Sequence, residues 1–363
     1  MQNPPPAIAM IKWVVFLFLN GLLFNSLVPI AAFAQSIPSK THVAVRSRLI
    51  IDNDFGGDPD GLFALAHHLL SPSMDIRGII GSINYKNGFF GAPGTADYSC
   101  EVVTNLLKSM GLDRMETVCR GADSPLRDLE TPEASDGAKL IVREAMRSDT
   151  TEPLYISCGA GLTDIASAYL MEPRIAHRVQ LIWIGGGEYA GLGLPPPGQS
   201  RLEYNLGIDP KAAKVIFNVS DIPLWQVPRS AYRQVLVSYA ELRSKIAGQG
   251  SLGTFLLASL DRIRNKANGS LGETYILGDS PLVLLTALQS PWEPDASSSQ
   301  YVLMSAPKIN DGGGYQENPA GRKIRVYTRL DVRLTLEDFY AKVSDHHISM
   351  ESGASHSNPV TDP

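Results

Sequence analysis

The chain has 363 residues, 44% of them hydrophobic and 19% charged, the balance of an ordinary globular protein with apolar mass for a large core. A net charge of −5 and a pI near 5.8 give no sign of the basic face that nucleic-acid binding requires. Three cysteines, Cys100, Cys119 and Cys158, with no C-x-x-C spacing, leave zinc-ribbon and thioredoxin-like readings without support.

Taken in chain order, the first feature is Lys12 followed by the apolar run Trp13 to Ala34, which ends Ala32-Phe33-Ala34. A basic residue, an apolar stretch and an A-x-A site predict a secretory signal cleaved after Ala34, with Asn20, Asn25 and Pro29 interrupting any membrane span. The mature chain is then expected in a periplasm or outside the cell, without stable membrane insertion. The expected organisation is a signal over 1–34, a linker over 35–47, one α/β domain over 48–343 and a polar tail over 344–363. In an oxidising compartment Cys100 and Cys119 are the pair available for a disulfide. Cys158, beside a glycine turn, reads as a small buried residue.

Arg48 to Asp52 predicts a buried strand, and Gly61 to Leu70 has helical periodicity. Between them, Asp52, Asp54, Asp58 and Asp60 crowd into a Gly-rich turn. Four carboxylates so close repel one another unless a cation neutralises them, and hard oxygen donors suit Ca²⁺ or Mg²⁺. Further strands are predicted at Met74–Ser82, Glu116–Cys119, Leu154–Ser157, Val179–Ile184 and Ile222–Val227. Helices are predicted over 96–110, 136–148, 162–171, 210–217, 232–247, 252–267, from 279 to 287 and over 336–343, with strand-rich chain at 324–332. Strands alternating with helices, and Gly/Asp turns after the strands, predict an open, mostly parallel α/β sheet flanked by helices, whose ligands sit at the carboxyl ends of the strands. The Gly/Pro-rich loop 188–202 is long enough to be functional.

Four ordered segments carry a resemblance. The first is Asp52-Asn53-Asp54-Phe55-Gly56-Gly57-Asp58-Pro59-Asp60-Gly61, and the second Gly161-Leu162-Thr163-Asp164-Ile165-Ala166. The third is Glu203-Tyr204-Asn205 with Asp209-Pro210 after it, and the fourth Gly278-Asp279-Ser280-Pro281. Together they resemble the nucleoside hydrolase (inosine/uridine-preferring nucleoside N-ribohydrolase) family, whose opening motif is D-x-D-P-G-x-D-D. The resemblance implies a Rossmann-like sheet and calcium-dependent hydrolysis of a ribosyl N-glycosidic bond, giving free sugar and base. Asp54 would be both a calcium ligand and the base for the attacking water, with Asp60, Asp279 and the carbonyl of Gly159 as further ligands. Asp58, Glu203 and Asn205 would contact the sugar, as would Asn84 after the second strand, where Ser82 is a second candidate. Asp52 would brace the loop. Homo-oligomers are common in the family.

The resemblance has two departures. The acidic pair is spaced one residue wider, as Asp58-Pro59-Asp60, and Gly278 stands where many members have a histidine that protonates the leaving base. An exported nucleoside- or sugar-binding protein that has lost hydrolysis is therefore the alternative. Tyr189, Tyr204 and Trp183 are candidates to support a base. An EF-hand fails because, counting from Asp52, the twelfth residue is Phe63. A haloacid-dehalogenase phosphatase fails on Gly56, where it needs Thr or Val. His67 and His68, among Leu62, Leu65, Leu69 and Leu70, read as packing or surface residues, and Gly185–Gly187 lacks the Lys-Ser/Thr of a phosphate loop.

Overall fold

The computed structural model describes residues 43–112, 117–198, 202–290 and 298–355. The expected signal segment, most of the expected linker, Glu116, Arg201 and residues 356–363 of the expected tail lie outside the described residues. The described residues belong to one compact unit.

The chain first winds as β1 Ser47–Asn53, α1 Asp60–Leu69, β2 Met74–Gly81, α2 Ala96–Ser109, β3 Val118–Arg120, α3 Asp136–Ala145, β4 Leu154–Cys158, α4 Thr163–Met171 and β5 Val179–Ile184. Two short helices follow, α5 Tyr204–Ile208 and α6 Pro210–Lys214, then β6 Leu224–Val227 and α7 Arg229–Tyr232. The remainder is β7 Leu236–Ser238, α8 Tyr239–Ile246, α9 Gly250–Lys266, β8 Thr274–Ile276, α10 Pro281–Leu284, β9 Gln300–Ser305, β10 Lys308–Ile309, β11 Tyr315–Gln316, β12 Lys323–Arg329 and α11 Val332–Ser355.

Eight strands make one sheet in the order β3-β2-β1-β4-β5-β6-β12-β9, parallel except that β9 runs against β12. β1 is buried along its whole length, as a central strand covered on both faces must be. One apolar layer gathers Leu65, Val103, Leu256 and Phe339, and the other Ile141, Ile165 and Ile216. The chain leaves β1 toward β2 on one side and later returns through β4 on the other, so strand order reverses between β1 and β4. Crevices at such a reversal are where open α/β sheets bind ligands. The turns after β1 and β4 hold the acidic motif and Gly159.

Hydroxyls and carboxylates cap the helices where the sequence supplies them: Ser135 accepts from the Ala138 amide at 2.8 Å and Asp209 from that of Ala212 at 2.9 Å. Several expected elements differ. The helix expected over 232–247 is interrupted, because the β-branched run around Val235 and Val237 pairs as β7 with β8, and Ser238 then caps α8. The helix from 279 is only Pro281–Leu284, and 210–217 is an α-helix to Lys214 followed by a π-turn over Val215–Val219. α11 continues to Ser355, well past the expected end at 343, through a polar stretch that has no proline and no glycine until Gly353. The edge strand β9 carries no period-2 alternation and escaped the sequence pattern.

Cys100 and Cys119 are free thiols. The Cys100 sulfur donates to the Cys119 carbonyl at 3.5 Å rather than meeting its sulfur, so the two cysteines that could have paired form no disulfide. Among the described residues no helix is long and apolar enough to cross a membrane.

Candidate active site

One small cleft of about 80 Å³ opens at the reversal point, lined by Asp54, Asp58, Asp60, Gly159, Glu203 and Asn205, with Ile184, Tyr204, Tyr232, Gly278 and Asp279 completing the wall. Seven of the eight residues singled out in the sequence therefore meet in one place. They arrive from four turns whose separation in sequence the parallel sheet removes.

The acidic turn is folded by its own backbone. The Gly57 amide donates to the Asp54 carbonyl at 2.6 Å, and Asp58 accepts from the Asp60 amide at 3.3 Å and from the Tyr275 hydroxyl at 2.6 Å. Asp60 accepts from the Asp279 amide at 3.1 Å, joining the first motif to the last. Asn53 donates to Asp279 at 2.8 Å. A Cβ on Gly159 would lie 2.7 Å from both Asp279 carboxylate oxygens, so only glycine lets the β4 turn approach this close.

The eighth residue, Asn84, stands just behind. A Cβ on Gly57 would lie 2.9 Å from both the Asn84 amide nitrogen and Asp54 Oδ2, so both side chains use the space that the bare glycine leaves. Asp54 Oδ2 and both amide atoms of Asn84 are buried without hydrogen-bond partners. The other candidate, Ser82, is occupied elsewhere: its hydroxyl bonds Asp52 Oδ1 and lies 3.2 Å from Asp164 Oδ2. Asp52 is thus tied beneath the cleft by the bracing contact expected of it.

Glu203 and Asn205 are built into the start of α5. Glu203 accepts from the amides of Gly186 at 2.7 Å and Leu206 at 3.0 Å and from the Tyr232 hydroxyl at 3.0 Å. Asn205 donates to the carbonyls of Ile184 at 2.8 Å and Gly159 at 3.2 Å.

Burial dominates the electrostatics. It pushes Asp54 well above the usual carboxylate range, with Asp279 and Asp58 adding repulsion. Asp60 rises for the same reasons, through burial, then Asp279, Asp58 and Asp54. Asp279 is pushed up to about 7, mainly by burial and against the Asn53 hydrogen bond. No Lys, Arg or His is among the described residues that line the cleft. Among the described residues no group of three or more His, Cys, Asp or Glu side chains is placed to hold a metal ion as it stands. The donor chemistry nonetheless fits a hard divalent cation, since every donor is oxygen and Asp54 Oδ2 has no partner. The residues suited to hold it are Asp54, Asp60, Asp279 and the Gly159 carbonyl.

Three contributors were not singled out in the sequence. Asn53 was visible inside the acidic motif. Tyr232 and Tyr275 belong to segments without a motif, and only folding brings them in. Of the aromatic candidates, Trp183 is fully buried and donates to the Ala160 carbonyl at 3.0 Å. Tyr189 donates to Gln226 at 2.6 Å, beside a separate hollow of about 630 Å³ that has no comparable acidic cluster. Cys158 is buried, its thiol donating to the Gly161 carbonyl at 3.6 Å. Burial raises its pKa well above normal, the opposite of an activated nucleophile. His67 and His68 are buried and pack on α11 and α10, hydrogen-bonded to Asp338 at 2.6 Å and Thr286 at 2.9 Å.

Comparison with known proteins accords with this geometry. A family model described as inosine-uridine preferring nucleoside hydrolase matches residues 49–343. The chain is 29% identical to the uridine nucleosidase of Saccharomyces cerevisiae over 186 residues, 45% of this chain and 52% of that protein. It is 44% identical to an inosine-uridine preferring nucleoside hydrolase of Crithidia fasciculata over 88 residues, 24% of this chain and 25% of that one. These matches span about half and a quarter of those relatives' lengths. The fold is similar to a plant nucleoside hydrolase, with a TM-score of 0.64 at 18% identity over 82% of this chain and 99% of that one. A purine-preferring ribonucleoside hydrolase of Gardnerella vaginalis gives 0.64 at 19% identity, over 83% and 99%.

Proposed function

As this chain belongs to the inosine-uridine preferring nucleoside hydrolase family, we propose that it hydrolyses the N-glycosidic bond of a ribonucleoside or related ribosyl compound with the help of calcium. The observation that carries the reading is the cleft itself: buried carboxylates at the β1/β4 reversal, with Oδ2 of Asp54 left without a partner.

A bound Ca²⁺ supplies charge that neutralises the carboxylates, binds sugar hydroxyls and makes water more acidic. The chain's residues do the rest. Asp54 accepts a proton from the water that attacks the anomeric carbon. The carbon–nitrogen bond breaks through an oxocarbenium-like state, its electron pair leaving with the base. Glu203 and Asn205, fixed by backbone contacts, orient the sugar, and Asp58 and Asn84 contact its hydroxyls.

The test is release of reducing sugar from a nucleoside panel by the chain beginning at Gln35, in calcium and then in chelator. Chelator-sensitive release is expected. Calcium binding without release would leave the alternative, a nucleoside- or sugar-binding protein. Gly278 favours that alternative, since it places no proton donor beside the cleft. We further propose export with cleavage after Ala34; a mature amino terminus other than Gln35 in the exported protein would contradict it.

A further inference from the structure

The hydroxyls around the cleft are nearly all spoken for. Tyr232 donates to Glu203, Tyr275 to Asp58, and Tyr85 to the carbonyl of Tyr204 at 3.0 Å. Tyr204 differs. Its hydroxyl is buried without a hydrogen-bond partner, and the residue lines the cleft. An unmet buried hydroxyl is a cost to the fold unless a ligand supplies the acceptor.

The phenol is also held in place. Its ring stands edge-on to Tyr85, centroids 4.8 Å apart at 74°, and to Phe89 at 6.0 Å and 88°. Its backbone begins α5, capped by Glu203 and gripped by Tyr85. The cleft therefore has two characters. Carboxylates and amides form the side suited to a polyhydroxylated sugar, and Tyr204, its ring packed edge-on against Tyr85 and Phe89, adds an aromatic wall with an unmet hydroxyl, suited to a planar group with an acceptor. A phenol is protonated at neutral pH, so it offers a donor.

We propose that the Tyr204 hydroxyl donates a hydrogen bond to the planar leaving group of the substrate and so determines which leaving groups are accepted. The class selected is heteroaromatic, with a carbonyl oxygen or ring nitrogen as acceptor near the scissile bond. This rests on the nucleoside hydrolase reading above.

Tyr204→Phe removes the oxygen and keeps the ring contacts. The measurements are kcat/KM for uridine and inosine, inhibition by D-ribose, and calorimetric binding of both nucleosides and ribose in calcium. The substitution is expected to lower kcat/KM and nucleoside affinity about tenfold, the scale of one hydrogen bond, while ribose binding changes by less than about twofold. Unchanged nucleoside values overturn the proposal, and so does an equal loss for ribose, which would put the hydroxyl on the sugar. A wild-type chain that releases no sugar, yet binds nucleosides with the Tyr204-dependent difference, would overturn hydrolysis and uphold the contact. A wild type that binds neither nucleoside overturns both.

Discussion

The side-chain amide of Asn53 donates to Asp279 Oδ2 at 2.8 Å although the two residues lie 226 positions apart. This bond fixes the carboxylate of the last motif against the first. If Asp279 is a calcium ligand, Asn53 orients it from behind, and loss of such a partner typically costs about 10–100-fold in metal affinity. Asn53→Ala should weaken calcium binding by that order in a calorimetric titration. Unchanged affinity would remove Asp279 from the ligand set.

Asp54→Asn keeps the shape of the side chain and removes the base. Turnover should drop by about 100-fold or more, with calcium affinity reduced as well. Asp52→Ala should instead lower thermal stability while affecting the metal less, because Asp52 is tied to Ser82 below the cleft. Activity near wild type in the Asp54 variant would refute its assignment as base.

Calcium should stabilise the fold, since it relieves repulsion among buried acids. At about a hundredfold excess over Kd the gain is about 2.7 kcal/mol, a shift of several degrees in Tm. A melting temperature that ignores both calcium and chelator would argue that these carboxylates hold no ion.

A histidine at 278 should not simply restore a missing acid. A Cβ there would lie 3.1 Å from Asp60 Oδ2 and 3.1 Å from the Tyr232 ring, so the larger side chain has to displace Tyr232 from Glu203. Gly278→His is expected to cost about 1–3 kcal/mol of stability, the usual scale for overpacking. Shortening the neighbour in Gly278→His/Tyr232→Ala should recover part of it. Thermal denaturation of the two variants decides, and an undisturbed single variant would contradict the argument.

His68 supplies a pH dependence outside the cleft. Burial, then the neighbouring His67, pushes its pKa down from 6.5 to about 3. Thr286 donates to the Leu282 carbonyl and so accepts from His68, whose ring is neutral. The unfolded chain takes up a proton near 6.5 and the folded one only near 3. The stability His68 contributes is therefore complete above about 6.5 and lost as pH falls toward 3, by at most about 1.4 kcal/mol per unit. The difference in stability between wild type and His68→Gln should shift in that direction across the window, and a constant difference would contradict it.

Much of the site was legible because its residues sit in short local motifs at strand ends. Asp54, Asp58, Asp60, Glu203, Asn205 and Asp279 each announce themselves within a few neighbours. Tyr232 and Tyr275 do not, since their roles exist only once α7 and β8 are packed against the acidic turn. The fold shows the same division. Buried parallel strands such as β1 and β5 are written as continuous apolar runs. β7 and β8 are three residues each, too short to show a period, and they exist because each is the other's partner.

Glu203 is at once the cap of α5 and a wall of the cleft. On the proposed reading the side that would hold the sugar is thereby welded to the main chain, through Glu203 and Asn205, whereas the side that would meet the leaving group depends on the side chain of Tyr204 and the rings of Tyr85 and Phe89 packed against it. Retraining this scaffold toward new bases should be cheap, and toward new sugars ruinous. Libraries randomised at 85, 89 and 204 should return many folded proteins, and libraries at 203 and 205 few.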